Sequence, residues 1–168
     1  ELFSMNHWQA FFDNNADLKR AREHQLERTI TIFPWIAIID KFQHWVYENP
    51  AHTVAERTAT WTAILKEFST NSIDYTGLDA YREIGWQRQL HLFEVPFYYI
   101  EYGIAQLGAI GLWMQYQQNP KQALQNYINA LSLGGTKTLP ELYKAAGLEF
   151  NLSPDYIKTL MEFTAKEM

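Results

Sequence analysis

Apolar side chains recur at three- and four-residue spacing along almost the whole chain. No segment keeps up the two-residue alternation that a half-buried strand requires. A strand sends successive side chains to opposite faces, whereas a helix gathers positions three and four apart on one face. The pattern therefore predicts an all-α fold of six to eight helices. At 168 residues the chain can close one substantial core, and it carries no repeat, low-complexity tract or dividing linker. Residues 1–168 read as a single helical unit.

Helix ends are marked by caps. A first helix is expected over Leu2 to Phe12, stopped by Asp13-Asn14-Asn15, and a long second one over Ala16 to Tyr47. Pro34 lies inside the second, where it removes a backbone donor and should kink or divide the helix near Phe33. Thr53 with Glu56 forms a capping-box pattern and opens a helix to Phe68. Ser69 to Gly85 loses periodicity and reads as one long irregular connection. A helix then follows Pro96 and extends to Gln118. Asn119-Pro120 starts the next, which Gly134-Gly135 closes. Thr138 with Glu141 is a second capping box, Gly147 a C-terminal cap, and Ser153-Pro154 opens the last helix.

A net charge of −5 without clustered Lys and Arg argues against nucleic acid and anionic membranes as partners. The absence of cysteine excludes disulfides and thiolate metal sites and fits a reducing, cytoplasmic setting. No apolar run reaches the roughly 18 residues that a membrane span needs, so the expectation is a soluble protein. The chain opens without Met, on an amphipathic stretch already under way, as an excised segment would.

None of the five histidines belongs to an H-E-x-x-H pair. Asp40 and His44 share a helix face, but acid and His pairs at this spacing commonly just hydrogen-bond, and His7, His24 and His52 sit among polar neighbours. The dense stretch is Trp86 to Tyr102, which holds His91, Tyr98, Tyr99 and Tyr102. Tyr98 and Tyr102 are one helical turn apart. Phenol hydroxyls so placed can donate to an oxyanion as it forms, although spacing alone favours rings that fill a core.

Two segments carry a resemblance: Arg28 to Pro50, ending Asp40-Lys41-Phe42-Gln43-His44-Trp45-Val46-Tyr47-Glu48-Asn49-Pro50, and Trp86-Gln87-Arg88-Gln89-Leu90-His91-Leu92-Phe93-Glu94-Val95-Pro96-Phe97-Tyr98-Tyr99-Ile100-Glu101-Tyr102. Both are similar to the C-terminal region of the oligoendopeptidase F family of zinc metallopeptidases, thimet-like oligopeptidases. Gly134-Gly135 and Leu139 to Phe150 extend the likeness to the end of the chain. The resemblance implies a zinc ion held by an upstream H-E-x-x-H helix and a following Glu. Glu1 falls just beyond that third ligand, so no metal ligand is expected in this segment and no zinc should bind it alone.

It further implies that His91 and Tyr102 stabilise the tetrahedral intermediate, and that Tyr98 and Tyr99 are candidates for binding the substrate backbone. The partners implied are an oligopeptide substrate and the N-terminal remainder of the peptidase. An aromatic wall left open in the isolated segment would favour self-association. The rival reading is a non-catalytic helical module that holds a peptide or a partner helix on the same rings. A third is a separately encoded subunit that completes a zinc site only on association.

Overall fold

The computed structural model describes residues 1–70 and 73–168, and Asn71 and Ser72 of the expected connection lie outside them. Among the described residues the regular structure is all α, without a strand. The helices are α1 (Asn15–Glu48), α2 (Val54–Phe68), α3 (Asp79–Glu83), α4 (His91–Glu94), α5 (Ile100–Gln118), α6 (Pro120–Ser132), α7 (Leu139–Ala145) and α8 (Pro154–Glu167). Three short 3₁₀ segments, Phe3–Ala10, Gly85–Arg88 and Gly134–Thr136, accompany them.

Local chemistry accounts for most boundaries. At α2 the Glu56 amide donates to the Thr53 hydroxyl at 3.2 Å, and the Thr53 amide donates back to the Glu56 carboxylate at 2.7 Å. The Glu141 carboxylate likewise accepts from the Thr138 amide at 2.9 Å. Asn119 caps α6 by accepting from the Gln122 amide, and Ser153 caps α8 by accepting from that of Tyr156. Gly134 and Gly147 adopt φ of 51° and 75°, the left-handed region that glycine enters without a Cβ penalty, and so turn the chain after α6 and α7.

Four expectations need correction. Residues 3–10 wind as a 3₁₀ segment rather than an α-helix; the Ser4 hydroxyl donates to the Glu1 carbonyl at 2.6 Å and accepts from the Trp8 indole, competing with regular α bonding. Pro34 does not divide α1, which runs unbroken from Asn15 to Glu48. Proline deprives the helix of only one donor, and the packed residues that follow, Ile36, Ile38, Ile39 and Phe42, hold the remaining turns. The connection after Phe68 is not irregular as far as Gly85, because it contains α3, where the Trp61 indole donates to the Arg82 carbonyl at 2.7 Å and the Arg82 guanidinium lies over the Tyr75 ring. Finally, the helix expected after Pro96 ends at Gln118 as read but starts only at Ile100, beyond Phe97 at φ of 57°, so Tyr98 and Tyr99 precede it instead of sharing its face with Tyr102.

The backbone clusters into two compact units, Glu1–Ile30 with Ile104–Met168, and Thr31–Gly103. In the first, Met5, Leu26, Ile110, Trp113 and Leu160 are fully buried, Trp113 meets Phe163 edge-on at 4.8 Å, and Phe3 stacks on Tyr116 at 4.6 Å. In the second, Ile38, Ile39 and Phe42 of α1 close on Trp61 and Ile64 of α2, with Trp35, Trp86, Leu92 and Tyr99 packed against them. Lys41 ties α1 to α2 through an ion pair with Glu67 at 2.6 Å. The burial of these large rings supplies most of the local driving force, since a fully buried aromatic or branched side chain contributes about 1.5–3 kcal/mol.

Candidate active-site wall

The second unit brings His91, Tyr98, Tyr99 and Tyr102 into one cluster. The His91 ring stacks on Tyr98 at 6.0 Å and meets Tyr99 and Tyr102 edge-on at 5.1 Å and 5.7 Å. Tyr102 in turn meets Tyr98 at 5.6 Å and Tyr99 at 5.1 Å. His91 Nε2 and the Tyr102 hydroxyl are 3.1 Å apart, within hydrogen-bond reach. Tyr99 is half-buried against the core, whereas Tyr98 and Tyr102 remain 45% and 39% exposed.

Backbone geometry explains the convergence. His91 opens α4, a helix of a single turn that ends in Val95. Pro96 and Phe97 then reverse the chain, and the left-handed conformation at Phe97 is uncommon for a large side chain and needs compensation. Gln43 of α1 supplies it. That side chain is 2% exposed, its amide oxygen accepts from the Phe97 amide at 2.9 Å, and its amide nitrogen reaches the Leu92 carbonyl at 3.5 Å. One buried amide thus ties α4 to the turn that launches α5. The Phe97 ring is seated against His44 and Tyr47, each at 4.9 Å. After the turn, the Glu101 amide donates to the Tyr98 carbonyl and the Tyr102 amide to that of Tyr99, so Tyr98 and Tyr99 lie just ahead of α5 and Tyr102 lies in its first turn.

The Tyr102 phenol has its pKa raised above the ordinary value of 10.0, first by desolvation, then by the charge and hydrogen bond of the Tyr98 phenol and by Tyr99. It is therefore a hydrogen-bond donor, and not a phenolate, throughout the neutral range. The His91 ring and the Tyr102 hydroxyl lie side by side on a partly exposed surface, and an O–H and a ring N–H so placed can favour negative charge developing on an oxygen.

The same residues do not fit a metal. Among the described residues no three His, Asp or Glu side chains gather as zinc coordination would require. Asp40 and His44 lie 3.6 Å apart along one helix face, and His44 spends its ring on Phe97. In the first unit an apolar hollow of about 470 Å³ is bordered by Leu112, Tyr127, Leu131 and Leu142, but no histidine lines it.

Sequence reasoning missed Gln43, Phe97 and Gln89, whose side chain contacts His91 Nδ1 at 2.7 Å. A signal for Gln43 existed: it interrupts the apolar row Ile36, Ile39, Val46 at helical spacing. A polar residue at a core position needs a partner, and the partner is the Phe97 turn.

Compared with known proteins, residues 1–162 match peptidase family M3. A solved structure described as an oligoendopeptidase F is 32% identical, with a TM-score of 0.76 over 90% of this chain and 27% of that one. Another, of PZ peptidase A with an inhibitor, is 31% identical, with a TM-score of 0.83 over 98% of this chain and 30% of that one. The chain thus spans less than a third of either structure's length. No curated protein matches.

Proposed function

The chain belongs to peptidase family M3, and on that premise we propose that it forms the C-terminal part of a zinc-dependent endopeptidase that hydrolyses short peptides in the cytoplasm. Residues 1–168 then supply the substrate-side wall of the catalytic domain. The observation that carries this reading is the His91–Tyr102 pair at 3.1 Å on the partly exposed face of the second unit, with Tyr98 and Tyr99 around it. Family membership and likeness to an oligoendopeptidase F and to PZ peptidase A support the choice of a peptidase over a passive binding module.

This reading assigns the zinc to an H-E-x-x-H helix and a following Glu outside these residues, as the resemblance implies. What the present residues contribute is charge stabilisation and positioning. The Tyr102 hydroxyl and the His91 N–H donate to the oxygen of the scissile carbonyl as it becomes an oxyanion, and the loss of one such donor typically costs about 3 kcal/mol of transition-state stabilisation. Tyr98 or Tyr99 holds the peptide backbone beside them. Gln43 fixes the turn between His91 and Tyr102, which holds the two side chains at a set separation.

The test uses the full-length protein, purified with its metal and assayed on an internally quenched peptide. The reading predicts one zinc per chain, activity abolished by chelation and restored by zinc, and neither zinc nor activity in residues 1–168 alone. Endopeptidase activity that survives complete chelation would rule it out.

A further inference from the structure

Resting on the reading of His91 as an oxyanion donor, a further inference concerns what makes it a donor. A neutral imidazole carries one proton on one of two nitrogens, and the partner of the other nitrogen decides which. The atom facing Tyr102 is Nε2, so the ring donates there only if Nδ1 is held as an acceptor.

The partners of Nδ1 form a directed chain. The side-chain nitrogen of Gln89 lies 2.7 Å from Nδ1, and the side-chain oxygen of Gln89 lies 3.3 Å from the Trp35 indole nitrogen. An indole N–H donates and accepts nothing, so the Gln89 atom that meets it is the oxygen. The amide nitrogen must then face His91. That nitrogen only donates, Nδ1 therefore accepts, and the single ring proton resides on Nε2.

Trp35 itself is well anchored: its ring meets Trp61 edge-on at 6.0 Å, and the Arg88 guanidinium lies 5.0 Å from its centroid. Gln89 follows the 3₁₀ segment Gly85–Arg88 in an extended conformation, two residues before His91.

We propose that Trp35 and Gln89 are positioning residues that lock His91 in the tautomer with its proton on Nε2. The consequence reaches Tyr102. With the proton on Nε2, the ring faces the site as a donor and takes no proton from the Tyr102 hydroxyl, so each group has an O–H or N–H that can turn to the oxyanion. Were Nδ1 protonated instead, Nε2 would accept the Tyr102 proton and withdraw it from the site.

Gln89→Glu tests the lock with a side chain of nearly the same shape. A carboxylate accepts only, so it still receives the Trp35 N–H while demanding a proton from Nδ1. The full-length protein is labelled with ring-¹⁵N histidine, His91 is assigned by loss of its signals in His91→Asn, and spectra are taken above the range in which imidazoles titrate. The wild type should show Nε2 protonated. Gln89→Glu should move the proton to Nδ1 and lower kcat by on the order of 100-fold with KM little changed. Trp35→Phe, which frees the amide to rotate, should give a mixture of tautomers.

A wild-type proton on Nδ1, or a proton that stays on Nε2 in Gln89→Glu, would overturn the lock. A proton that moves while kcat is unchanged would leave the lock standing and instead remove His91 from the chemistry, so the two failures are distinguishable.

Discussion

The start of α5 and the starts of α2, α7 and α8 are built on opposite plans. The last three are capped by residues within three positions of the helix they begin: Thr53 with Glu56, Thr138 with Glu141, and Ser153 with Tyr156. The α5 start is held by Gln43, fifty-four positions away from Phe97, across a left-handed residue that no local cap excuses. Local caps make a helix begin at a given residue; they do not aim its first side chains at anything. Where the molecule needs Tyr98, Tyr99 and Tyr102 to meet His91, it uses a long-range buried hydrogen bond. Bringing these side chains together and starting a helix are thus met by different devices.

The comparison predicts a hierarchy of effects. On the proposed reading the largest is on turnover: Tyr102→Phe in the full-length protein should keep fold and metal content while kcat falls by roughly two to three orders of magnitude at little-altered KM. Stopped assays on Tyr98→Phe and Tyr99→Phe serve as controls, and a near-normal Tyr102→Phe beside a dead control would move the catalytic role to the other ring.

Next comes the long-range clamp. Gln43→Leu leaves the Phe97 amide and the Leu92 carbonyl without their partner and should lower unfolding stability by about 1–3 kcal/mol, read from the urea midpoint. Activity should fall further than stability explains, because the α5 start loses its aim. Equal losses in both would mean that Gln43 is only a core residue. Ser153→Ala, by contrast, should cost about 1 kcal/mol with kcat unchanged, since that cap orients nothing at the site.

The smallest effect is on pH dependence. Glu56 and Glu141 have their pKa values held below the ordinary 4.5, in each case first by a backbone hydrogen bond, from Thr53 and Thr138 respectively, and then by the side chain of the same residue. A folded pKa below the unfolded one gives stability that is fully present above 4.5 and is lost as pH falls through the lower, folded value. Acid titration of thermal stability should therefore show a shallow loss below 4.5 that Glu56→Gln and Glu141→Gln each diminish.

The fold class, the main helices and five helix-boundary signals were legible in the chain because each rests on neighbours three or four residues apart. The capping boxes at Thr53 and Thr138, the Asn119-Pro120 and Ser153-Pro154 starts and the left-handed Gly147 are all of this kind. Legibility failed where local preference met a competing bond or a distant support. Ser4 drew the first segment into a 3₁₀ winding, and the residues packed after Pro34 carried α1 through a proline that local rules would have used to divide it.

At the site the residue types and their neighbourhood were readable, since His91 and the three tyrosines lie within twelve positions. Their mutual geometry was decided by tertiary structure alone. The turn at Phe97 depends on Gln43, and the face that His91 presents depends on Gln89 and Trp35. A hydrogen bond between residues more than fifty positions apart leaves no periodic trace in sequence, because its energy depends on a distance that exists only once the helices have packed. Sequence by itself determined the fold class, most of the long helices and which chemical groups are at hand; packing determined where they point.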